Sequence, residues 1–153
     1  MTPRTDRSSR IIDAPASAIY RALTDGEALV QWLPPTGMTA TMVAFDPRPG
    51  GLYRMVLRYE DPAIAGKSGG NQDIAEGRFI ALVPDQAVIQ AIDFVSDDPG
   101  LSGTMTMSWL LRPVGGATEV RIIAEHVPPG ISATDHAEGM ASSLANLAAF
   151  LRR

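Results

Sequence analysis

The feature that most constrains this chain is a long amphipathic helix at its end, set after a stretch that reads as strands and turns throughout. Ser132, with Asp135 three residues on, is a variant capping box that satisfies the free N–H groups of a helix start. His136, Met140, Ser143, Leu144, Leu147 and Leu151 then recur at spacings of three and four. They form one stripe of a helix that ends near Arg152 and is about 30 Å long. Neither that stripe nor one apolar face of a sheet is stable in water, so the helix must lie across the sheet. The stripe is apolar towards its C-terminal end but carries His136, Gly139 and Ser143 at the other, which points to one wall of a cavity.

The elements before the helix follow from local patterns. Arg7 to Asp13 reads as a short edge strand with Ile11 and Ile12. Pro15 suits the first turn of a helix carrying Ile19, Ala22 and Leu23. Asp25 caps a second helix with Leu29, Trp32 and Leu33, stopped by Pro34-Pro35. Met38–Phe45 and Leu52–Tyr59 flank a turn-rich hairpin connection, and Tyr53, Met55, Leu57 and Tyr59 give the second strand one apolar face. Ile74–Val83 and Ala87–Phe94 form the next hairpin, with Gln90 on the same face as Val88, Ile92 and Phe94. Thr104–Leu111 alternates most cleanly, with Met105, Met107, Trp109 and Leu111 on one side. Thr118–His126 places Val120, Ile122, Ala124 and His126 together. The order is β-α-α-β6-α, an α+β protein, with residues 1–153 expected to form one domain and 1–6 expected to be flexible.

Composition excludes several functions. A net charge of −4 with no cluster of more than two bases argues against nucleic acid, whose phosphates need a basic patch. The absence of cysteine removes disulfides, thiol catalysis and zinc–thiolate sites. No apolar run reaches the ~18 residues of a membrane span, and Met1 to Arg10 is too polar for a signal peptide, so the cytoplasm is the expected compartment.

Taken in order, "APASAIYRALTDGEALVQWL", "DPRPGGLYRM", "TMTMSWLLRPVGGATEV" and "HAEGMASSLANLAAFL" resemble successive blocks of the SRPBCC (START-like) superfamily. Within it they are similar to the branch named for the activator of the ATPase of the ninety-kilodalton heat-shock chaperone. The resemblance runs over residues 10–152 and rests on the ordered set rather than on any one block. It implies the helix-grip fold, a curved antiparallel sheet wrapped around a long C-terminal helix with an internal cavity. The family usually has Gly-Trp where this chain has Gly139-Met140, and a shorter connection than Glu60 to Gln72. That long Gly-rich segment is expected to be a mobile lid or rim.

The chemistry-bearing candidates are few. Gly66-Lys67-Ser68 looks like the end of a phosphate-binding loop, but the glycine required five residues earlier is Asp61, a carboxylate that repels phosphate. His126 and His136 are expected to face the interior near the same end, as hydrogen-bonded lining, with an acid–base pair as the sharper alternative. Neither Glu125 nor Glu138 is placed to assist them. The expected cavity lining is Trp32, Tyr53, Met55, Leu57, Gln90, Phe94, Met105, Met107, Trp109, His126, His136, Met140 and Ser143. Three methionines on one inward arc suit a surface that adapts to varied ligands. No metal and no cofactor is expected. The expected partner is a small apolar or aromatic molecule, bound by a carrier or sensor. A cyclase- or aromatase-like enzyme using the same cavity and a chaperone-ATPase activator remain as alternatives, and a homodimer is compatible with either. The eukaryotic activator pairs the corresponding domain with an N-terminal one, for which 153 residues leave no room.

Overall fold

Alternation of apolar and polar side chains over the middle of the chain is resolved as one sheet. The computed structural model describes residues 3–153. Its elements are β1 (Thr5–Ile12), α1 (Ala16–Leu23), α2 (Gly26–Trp32), β2 (Met38–Phe45), β3 (Leu52–Tyr59), β4 (Gln72–Val83), β5 (Ala87–Phe94), β6 (Met105–Val114), β7 (Ala117–Glu125) and α3 (Ala133–Leu151), with a single 3-10 turn at Pro99–Leu101. The seven strands pair antiparallel in the order β1-β7-β6-β5-β4-β3-β2. This is the expected helix-grip arrangement, with β1 brought by its crossover beside β7 rather than β2.

Curvature has local causes. Bulges between Met42 and Ala44 and between Phe79 and Ala81 bend β2 and β4. At Gly77 a β-carbon would drive into the Ala91 carbonyl, so only glycine permits the close approach of β4 and β5 there. Met55, Trp109 and Ile122 on the concave face are buried, as are Ile19 of α1, Trp32 of α2 and Leu144 and Leu147 of α3. Trp32 is fully buried, donates its indole N–H to the Ala22 carbonyl at 3.1 Å, and meets Trp109 edge-on at 5.5 Å between ring centroids.

Three expectations need correction. β1 starts at Thr5, and Thr5 and Asp6 are paired with Glu125 and Ala124, so they belong to the sheet rather than to a flexible 1–6 tail. Met1 and Thr2 lie outside the described residues. β7 ends at Glu125, and His126 takes a left-handed φ of 58°, which breaks the pleat alternation and leaves its side chain exposed. The expected looseness of Glu60–Gln72 is opposed by its own hydrogen bonds: the backbone amides of Gly66 and Ser68 bond the carbonyls of Gly70 and Gln72, and Asp73 accepts the Lys67 amide at 2.6 Å. Long glycine-rich loops need not be mobile when their amides find internal partners.

Leu147 and Trp109 sit at the centre of the helix–sheet contact, at 0% and 5% exposure. Leu147→Ala should cost about 2–5 kcal/mol and Trp109→Ala about 3–5 kcal/mol in denaturant unfolding. Lys67 and its neighbours should exchange their amide protons slowly, and Lys67→Ala, which strips Asp73 of its ammonium partner, should speed that exchange and cost about 1–3 kcal/mol.

Candidate functional site

The first structural surprise concerns α3. Its polar positions Ser142, Ser143 and Asn146 are turned to the end of α2 and the chain that follows it. A helix end leaves carbonyls without intrahelical donors, and Pro34 and Pro35 supply no N–H to bond them. Ser143 Oγ donates to the Leu33 carbonyl at 2.6 Å and Asn146 Nδ2 to the Pro34 carbonyl at 3.0 Å. Ser142 Oγ accepts the Thr36 amide at 2.9 Å. On the α3 side of the predicted cavity, Met140 is buried in the main core and Ser143 is held by the Leu33 carbonyl.

An interior gap does exist, one layer over, between the sheet and the α1–α2 pair. It is lined by Leu23, Leu29, Leu33, Tyr53, Val88, Gln90 and Trp109, and leaves about 10 Å³ for the centre of a water molecule, room for one. Tyr53, Gln90 and the indole N–H of Trp109 are its polar groups, all on buried residues. Among the described residues the only bond of the Tyr53 hydroxyl is to the Met55 thioether at 3.7 Å, a weak acceptor. The Gln90 carboxamide makes no side-chain hydrogen bond among the described residues, yet its atoms are not sealed away from the gap. Full burial pushes the Tyr53 phenol well above its ordinary range, so it stays a neutral donor.

Beyond this gap the concave face is incompletely covered. Leu57, Phe94 and Met107 point inward but are half-buried, and Met107 is the cross-strand neighbour of Gln90. One end of this face is polar. Asp73, at an inward position of β4, accepts Lys67 Nζ at 2.9 Å and the Tyr59 hydroxyl at 3.3 Å, while Lys67 Nζ lies 5.2 Å from the Phe94 ring centroid. Burial and then the Asp73 charge raise the Tyr59 phenol. Asp73 was readable in the sequence, since a carboxylate sharing the parity of Ala75 and Phe79 signals a buried partner just as Gln90 does.

The other expected lining residues separate. Trp32 and Met55 are core, and Met105 belongs to a satellite cluster with Leu101, Val127 and Ile131. The two histidines do not meet. His126 is exposed, and His136 Nδ1 lies 2.8 Å from Asp6 Oδ2; a carboxylate only accepts, so Nδ1 carries the proton. Arg4 Nη2 bonds the same oxygen at 3.1 Å. Asp6 shares a row with Ala124, Met107 and Gln90, three strand spacings or roughly 14 Å from the gap, so this dyad cannot serve it. No group of His, Cys, Asp or Glu able to hold a metal occurs among the described residues.

A curved sheet gripping a terminal helix, with polar groups left at an interior gap, defines a helix-grip protein. The family profile described as "Activator of Hsp90 ATPase homolog 1-like protein" matches residues 13–152, and the chain belongs to that family, a branch of the SRPBCC superfamily. A crystal structure of a Chromobacterium violaceum protein is 32% identical, with 97% of each chain covered and a TM-score of 0.85. A Rhodobacter sphaeroides protein is 24% identical over 97% of this chain and 91% of its own, with a TM-score of 0.80. A protein of the dynemicin biosynthetic locus shares the fold at 17% identity and a TM-score of 0.68, over 97% of this chain and 47% of its own. No protein with a curated description matches the chain.

The Asp6–His136 contact ties β1 to α3 and is testable by pH. Burial alone would raise Asp6, but hydrogen bonds from His136 and Arg4 and their charges hold it below its ordinary 3.8. A lowered carboxylate stabilises the fold above the unfolded value and loses that contribution as pH falls through the folded one. Asp6→Asn should cost about 1–3 kcal/mol at neutral pH. It should also shrink the loss of melting temperature on acidification below pH 3.8, read by scanning calorimetry.

Proposed function

We propose that this protein binds a small, mostly apolar molecule on the concave face of its sheet, as a carrier or sensor. The observation that carries this reading is the pair Tyr53 and Gln90. Buried polar groups are ordinarily hydrogen-bonded, and these two end at one gap in an apolar wall with only a thioether between them. Few convergent polar groups in an apolar setting are the usual composition of a ligand site. The half-buried Leu57, Phe94 and Met107 offer access, and Met107 is flexible enough to yield. Room for one water means that a ligand enters by displacing side chains, with α2 as the layer that gives.

A protein-facing role, in keeping with the family's description, is supported by a different observation. Val43, Leu52 and Ile80 are 58%, 51% and 50% exposed on neighbouring strands β2, β3 and β4. Such apolar exposure suits contact with another protein. The ligand reading takes precedence because a phenol held only by a sulfur and a carboxamide with no side-chain hydrogen bond leave bonding capacity inside the fold whether or not a protein docks outside.

A naphthalene-based fluorescent probe should bind the folded protein with a Kd near micromolar, about 8 kcal/mol. Met107→Trp should fill the access and weaken that binding at least tenfold, with the melting temperature held within a few degrees. Probe binding that Met107→Trp leaves untouched would move the site off the concave face.

A further inference from the structure

Resting on the ligand reading above, we infer that the gap between Tyr53 and Gln90 seats the carbonyl oxygen of an uncharged ketone or aldehyde whose remainder is apolar. The argument is one of donors, charge and reach. Tyr53 brings an O–H and Gln90 two N–H groups to the gap, against the single carboxamide oxygen and the phenol oxygen as acceptors. The Tyr53 O–H meets only a sulfur at 3.7 Å, a weak acceptor, and the Gln90 carboxamide makes no side-chain hydrogen bond among the described residues, so both side chains have donors to offer a ligand. A carbonyl oxygen only accepts, through two lone pairs, and can take one bond from each side chain.

Charge excludes the neighbouring classes. The lining is otherwise Leu23, Leu29, Leu33, Val88 and Trp109, with no ionisable group but the neutral phenol. The ammonium of Lys67 is already bonded to Asp73, and Arg4 and His136 share Asp6 at the far edge of the sheet. A carboxylate in the gap would shed its water with no counter-charge, and an ammonium likewise, at a cost that binding does not return. The apolar remainder of the ligand would lie towards Met107 and Leu57, where the concave face is half-open.

Three probes of one shape separate the outcomes by titration calorimetry on the full chain: acetonaphthone, ethylnaphthalene and naphthoate. Acetonaphthone should bind about tenfold tighter than ethylnaphthalene, the worth of one or two net hydrogen bonds, and naphthoate weakest. Tyr53→Phe and Gln90→Met should each erase most of the ketone's advantage and leave ethylnaphthalene within about twofold. The carbonyl stretch of bound acetonaphthone, lowered in frequency in the unaltered protein, should return towards its apolar-solvent value in each variant. This infrared reading needs only the fraction that is folded. Naphthoate binding tightest, or ketone and hydrocarbon binding alike with no infrared shift, would overturn the carbonyl assignment while leaving apolar binding intact. Failure of all three to bind would remove the ligand reading itself and leave the gap as a site for one structural water.

Discussion

The carbonyl of Leu33 has to be hydrogen-bonded, and the way this is achieved organises the protein. Helix α2 is seven residues long and runs into Pro34-Pro35, so the carbonyls of Val30 and Gln31 get no i+4 donor from the following chain. Ser143 and Asn146 of α3 bond the carbonyls of Leu33 and Pro34 just past the helix end, and Ser142 takes the Thr36 amide as the chain leaves for β2. This fixes α2 against α3 and, with it, Trp32 over Trp109 and Leu29 and Leu33 over the gap. Each bond is worth only about a kilocalorie net, but leaving a buried carbonyl unpaired costs more. That asymmetry makes the contact an organiser rather than an ornament.

The same clamp explains why the interior is closed. With Leu33 held, the layer above Tyr53 and Gln90 leaves room for one water. A ligand binding there meets a protein whose competent form is a minority, and its apparent affinity is lowered by that fraction. The function proposed here therefore depends on how firmly α3 grips the end of α2 as much as on the lining. The polar clusters at either side, Lys67–Asp73–Tyr59 on β3 and β4 and Asp6–His136 on β1 and α3, pin the margins of the concave face and leave its middle apolar.

Legibility followed the range of the interaction. α3 was readable to within a residue or two because its cap and its spacing of three and four are local, and β6 because Met105, Met107, Trp109 and Leu111 alternate without interruption. Gln90 was found by parity, and Asp73 carried the same signal. His126 was misplaced because one residue in the left-handed region undoes a pattern that assumes a continued strand. Ser143 was read as a cavity wall because a small polar residue on a buried stripe has two meanings, lining or capping. Its partner lies 110 residues away.

What the sequence by itself determined is the set of elements, their faces and their order, since caps, prolines and alternation act over a few residues. It also determined that the terminal helix lies across the sheet, because an apolar stripe and an apolar sheet face have to cover each other; the curved grip is what the family resemblance implied. The tertiary structure alone decided which polar residues are spent on holding elements together and which are left over. Asp6 meeting His136 across 130 residues, and Ser143 meeting Leu33, are closures between distant segments that no local rule encodes. Tyr53 and Gln90 are seen to end at one gap only once the strands that carry them are placed side by side in space.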